Sequence, residues 1–166
     1  MNYLDQLDQM LDANFRIVSI ETYDPERVTE LFTQLSRFSN KAFYLWENVQ
    51  GLHRIGASHI KIPRTSDPRE LLNHIESSKH FGVYILRDFN DELEKDKNIQ
   101  SLLKIASGDV SKVVVLLADF INLPKALKPF TMRSKHQIPI ITIPRQSALF
   151  TAWLACKANL FGMQHD

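Results

Sequence analysis

Three polar side chains stand directly after apolar runs: Thr22 behind IVSIE, Asp88 behind VYILR and Asp119 behind VVVLLA. If those runs are strands of an open α/β sheet, their carboxyl ends are where such sheets hold ligands. Asp88 also has the place of the magnesium-holding Asp that closes a strand in P-loop ATPases. The plainer reading of Asp88 is a solvated strand-end carboxylate or a partner to a neighbour such as Arg87, and Asp119 has the same alternative. Thr22, Asp88 and Asp119 are therefore weak candidates for contact with a nucleotide, an anion or a metal. No catalytic or metal-ligating residue is assigned, and no cofactor is expected.

Residues 17–32, IVSIETYDPERVTELF, run from an apolar segment through a short polar joint into an amphipathic helix. That order is found at a phosphate-binding P-loop. Such a loop needs G-x-x-x-x-G-K-[ST], because the glycines let successive N–H groups curl around the phosphates and the lysine reaches their outer oxygens. The chain has five glycines, at 51, 56, 82, 108 and 162, and none precedes a lysine. The joint instead offers Glu21, Asp24 and Glu26, whose charge opposes that of a phosphate. Asp24-Pro25 is a helix start in its own right: the carboxylate accepts exposed N–H groups and proline fits the first turn. A Rossmann G-x-G-x-x-G is missing as well.

The remaining reactive side chains are scattered. His53, His59, His74, His80, His136 and His165 form no His-x-x-x-His or His-Glu-x-x-His pair, so zinc chemistry is poorly supported. The segment ENVQGLHRIGASHIKIPRT carries His53, Arg54, His59, Lys61 and Arg64 and reads as a long loop or small hairpin. It is either an anion contact or a solvated loop. No Gly-x-Ser-x-Gly elbow exists, and Cys156 sits in an apolar helix, where an inert thiol is expected.

The elements that would position these residues alternate. Tyr3, Leu4, Leu7, Met10 and Leu11 share one helical stripe. A strand over 15–21 precedes the Asp24-Pro25 helix, whose Val28, Leu31, Phe32, Leu35 and Phe38 form one buried face. Strands are expected at 42–46, 81–86, 112–118 and 138–143, and Pro139 puts the last at an edge or at its own start. Asp67-Pro68 opens a second helix, another spans about 90–106, and 123–127 reads as a short one. KVVVLLA at 112–118 has the continuous apolarity of a central strand covered on both faces. The fold expected is a three-layer α/β/α domain over 1–166, with a mostly parallel five-stranded sheet. Its topology is that of a P-loop NTPase without the phosphate loop.

The last helix, 146–161, is apolar around much of its circumference. Leu149, Phe150, Trp153, Leu154, Leu160 and Phe161 are its expected interaction residues, either sandwiched in the core or docked on a second copy or another protein. Composition supports a globular chain, with 44% hydrophobic and 23% charged residues. No apolar run is long enough for a bilayer span, the start is neither a signal nor a transit peptide, and the single cysteine allows no intrachain disulfide. Cytoplasm is the expected compartment. Net charge is +1, but residues 120–165 contain no acid, an asymmetry of the kind some nucleic-acid surfaces show. Wide spacing of the cations without interleaved aromatics argues against that partner.

Taken together, IETYDPERVTEL, YLWENVQGL, the Asp67-Pro68 helix start and VYILRDF follow the order of motifs in a known family. Over roughly residues 5–143 the chain resembles the amino-terminal domain of a group of AAA-type ATPases from bacteria and plastids. The resemblance implies a degenerate P-loop fold and a protein-contact role. It does not carry over ATPase activity, because the chain contains no Walker sequences and has the apolar helix 146–161 where the ATPase module would follow. The expectation is a non-enzymatic domain acting through a protein partner or homo-oligomer. The alternative is a regulatory nucleotide- or anion-binding domain using the strand ends.

Overall fold

A computed structural model describes residues 2–13 and 15–136, without the side chains of Ser58 and His59. The first helix, α1 (Tyr3–Asp12), starts with the Asn2 side chain accepting the Asp5 N–H at 2.9 Å. Strand β1 (Ile17–Thr22) follows, then α2 (Pro25–Phe38), β2 (Phe43–Glu47), β3 (Gly51–Arg54) and β4 (Ala57–Lys61). Helix α3 (Pro68–Ser77) leads to β5 (Gly82–Arg87). A 3-10 turn at Asn90–Glu94 comes before α4 (Asp96–Ser107) and β6 (Lys112–Ala118). A second 3-10 turn at Lys125–Phe130 leads into β7 (Thr131–His136).

The strands form one sheet in the order β4-β3-β2-β5-β6-β1-β7. β2, β5, β6, β1 and β7 are parallel, and β3 and β4 add an antiparallel hairpin beside β2. Among the described residues the sheet thus has seven strands where five were expected. The extra pair comes from the ENVQGLHRIGASHIKIPRT segment, which takes the hairpin form. The fifth parallel strand is β7, a polar stretch that periodicity did not single out, whereas the expected strand 138–143 lies outside the described residues. The helix expected over 90–106 divides at Lys95, where Asn98 Nδ2 turns back to the Glu92 carbonyl at 3.0 Å.

Alternation along the strands sends side chains into two cores. Val18, Ile20, Val83, Ile85, Val113 and Val115 meet α1 and α2 on one face. Ile17, Trp46, Leu86, Val114 and Leu116 meet α3 and α4 on the other. Every residue of β6 is buried, as a strand covered on both sides requires. Phe32 of α2 and Leu72 of α3 are fully buried, each side chain contributing on the order of 1.5–3 kcal/mol of burial energy.

The chain leaves β1 toward β2 on one side and leaves β6 toward β7 on the other. β1 and β6 are neighbours, so their carboxyl ends bound the point where connections diverge, the place for a crevice in an open α/β sheet.

Candidate functional site

The crevice between the ends of β1 and β6 holds a cleft of about 220 Å3 lined by Glu21, Thr22, Tyr23, Asp119, Phe120, Lys135 and His136. Thr22 is buried at its floor. Its Oγ1 accepts the Asp24 N–H at 3.0 Å and lies 3.0 Å from His136 Nδ1. Asp24 in turn caps α2, Oδ1 accepting the Arg27 N–H at 3.1 Å. Two donors that could meet a phosphate at this helix start, the Asp24 and Arg27 N–H groups, are therefore occupied by the protein's own oxygens.

Glu21 is used in the same way. Its Oε2 accepts the Ile121 N–H at 2.9 Å, and its Oε1 lies 3.9 Å from Lys135 Nζ. The His136 ring lies 4.6 Å from that of Tyr3, whose hydroxyl is 2.9 Å from Ser134 Oγ. Burial pushes the Tyr3 phenol above its ordinary value, an effect that the contact with Ser134 partly offsets. Asp119 has a different state. It is exposed, and its one side-chain bond among the described residues is from the adjacent Phe120 N–H, at 3.0 Å to Oδ1. Tyr23 and Phe120, 85% and 52% exposed, stand at the same cleft.

Thr22 and Asp119 are thus brought to one cleft, and Asp88 is not. Asp88 lines a second cleft of about 350 Å3 with Glu26, Glu47, Asn48 and Arg87, at the ends of β2 and β5. Its φ of 54° is left-handed, and its N–H donates to the Leu117 carbonyl at 3.0 Å. Arg87 pairs with Glu26 at 2.8 Å and faces Glu47 at 3.9 Å, while its buried Nε has no partner among the described residues. The rim formed by these strand ends carries Glu21, Asp24, Glu26, Glu47, Asp88 and Asp119 against Arg87 and Lys135. Among the described residues, no group of three or more His, Cys, Asp or Glu side chains is arranged to hold a metal ion.

Tyr23, Phe120, Lys135 and His136 had no signal as site residues in the sequence. The first two follow strand ends by one or two positions, which is the clue available. The last two depend on β7 pairing with β1 in a register that sets Glu21 beside Lys135 and Thr22 beside His136. The expected interaction residues Leu149, Phe150, Trp153, Leu154, Leu160 and Phe161, together with Cys156, lie outside the described residues.

The family model described as the N-terminal domain of SpoVK-like AAA ATPases matches residues 3–136. No curated protein matches the chain.

Proposed function

Because the chain belongs to the family of SpoVK-like AAA ATPase N-terminal domains, we propose that it is a non-catalytic domain acting through protein–protein contact. The observation that carries this reading is the character of the carboxyl-terminal rim. Tyr23, Val49 and Phe120 are exposed there at 85%, 84% and 52%, beside carboxylates where a nucleotide binder would hold phosphate. Exposed large apolar side chains rimmed by polar groups are the usual mark of a protein-binding surface. The β1–α2 joint is then a P-loop-like corner whose phosphate loop has been replaced by the Thr22–Asp24 cap.

The partner is another protein or a second copy of the chain, with the apolar segment 146–161 as a further contact surface. A cytoplasmic location belongs to the same proposal. Among the described residues no helix is long and apolar enough to cross a membrane. Light scattering on the purified chain tests self-association directly. A concentration-dependent rise in mass that falls in the double variant Tyr23→Ala/Phe120→Ala supports contact through the rim. A strict monomer that also gives no complex when co-purified with an AAA module of its own family overturns the reading.

The crevice itself favours a second reading, regulatory binding of a small nucleotide or anion at Thr22 and Asp119. At 100-fold excess over its Kd such a ligand would stabilise the fold by about 2.7 kcal/mol. Thermal melts with ATP, GTP and cyclic nucleotides, with and without magnesium, would then shift upward by several degrees. The carboxylate-rich rim leads us to expect no shift.

A further inference from the structure

We propose that the β1–β6 cleft is the socket for an arginine side chain presented by a protein partner. The inference rests on the protein-contact reading above and names what this part of the surface recognises. Three observations carry it. The cleft is preformed, about 220 Å3, at the divergence point of the sheet. Two exposed aromatic rings, Tyr23 and Phe120, belong to its walls. Asp119 lines the same cleft, with a carboxylate bound only to the neighbouring Phe120 N–H among the described residues.

Among the described residues, Glu21 and Thr22 in the cleft are already engaged. Glu21 takes the Ile121 N–H and faces Lys135, and Thr22 serves Asp24 and His136. Among the described residues Asp119 is thus the carboxylate of the cleft left to meet a ligand charge, and its sign calls for a cation. Aromatic faces attract cations through their ring quadrupoles, and a planar guanidinium stacks on such faces while donating in-plane to a carboxylate. A phosphate or an acidic peptide has the wrong charge. An ammonium would reach the carboxylate but lacks the flat surface that two rings reward.

The test is a two-dimensional NMR titration of the isotope-labelled full chain with the blocked pentapeptide Ac-Gly-Gly-Arg-Gly-Gly-amide. The same peptide with Lys or with Glu in place of Arg serves as comparison. Saturable amide shifts at Tyr23, Asp119 and Phe120 are expected with the Arg peptide, weaker ones with Lys and none with Glu. A single side chain gives affinity on the order of millimolar. Asp119→Asn and Tyr23→Ala, both at exposed positions, should each weaken the Arg response about tenfold without moving the melting temperature. Shifts that fail to saturate, that occur equally with Glu, or that persist in both variants overturn the proposal. Its failure is separable from failure of the broader reading. A complex seen by light scattering that survives Asp119→Asn leaves the contact function standing and removes only the arginine socket.

Discussion

Thr22 and Asp24 show how a strand-end pair can close a helix start against outside ligands. The hydroxyl holds the Asp24 N–H and the carboxylate holds the Arg27 N–H, so two donors at the start of α2 are already satisfied. Replacing Asp24 with Ala is expected to cost about 1 kcal/mol and lower the melting temperature by about 2–4 °C, read by circular dichroism. Val49 presents the opposite case. It is a β-branched residue at φ 74°, 84% exposed, in the turn between β2 and β3. Such a residue is strained in the left-handed region, and strain of this kind gathers at functional surfaces. Val49→Gly should therefore raise stability in urea titration by up to about 1 kcal/mol. If Val49 belongs to the contact rim, the same change should weaken association in light scattering. Asp24 was legible in the sequence because capping is local, whereas the strain at Val49 comes from the hairpin geometry and leaves no trace in residue spacing.

At the scale of elements, the carboxyl end of α3 is held by a residue far along the chain. Lys112, buried at the start of β6, donates from Nζ to the Ile75 carbonyl at 2.6 Å and to the Glu76 carbonyl at 2.8 Å. This places a cation at the negative end of a helix, where the macrodipole favours it. His74 in the last turn is held below its ordinary value of 6.5, first by burial and then by the charge of Lys112. The unfolded chain consequently takes up the His74 proton more readily than the folded one. Its contribution is complete above pH 6.5 and is lost as pH falls through the lowered native value. Urea titrations from pH 7.5 to pH 5 should show stability falling on acidification, with a shallower slope in His74→Gln. The helix starts at Asp24-Pro25 and Asp67-Pro68 and the strand 112–118 were readable from local pattern. β7 was not, because TMRSKH alternates half-buried and exposed side chains and its pairing with β1 joins residues more than a hundred positions apart. The Lys112 bond to α3 is equally non-local.

For the molecule as a whole, the two cores over the sheet are drawn from Tyr3 to Met132 among the described residues. A fragment ending at His136 is accordingly expected to keep a single cooperative unfolding transition. Comparing its mass with that of the full chain by light scattering separates association through the rim from association through residues 146–161. The fold class and the absence of a phosphate loop could be read from the sequence, since both depend on element order and residue type. The cleft could not: its walls come from β1, β6 and β7, and only the strand order brings Thr22, Asp119 and His136 together.

The seat of Lys112 also makes it an internal clock for unfolding. Amine-acylating reagents should label exposed Lys79, Lys95 and Lys125 at once, while Lys112, shielded and hydrogen-bonded to two carbonyls, stays unmodified as long as α3 remains docked. Its labelling rate, followed by peptide mass spectrometry, would then report how often that side of the sheet opens.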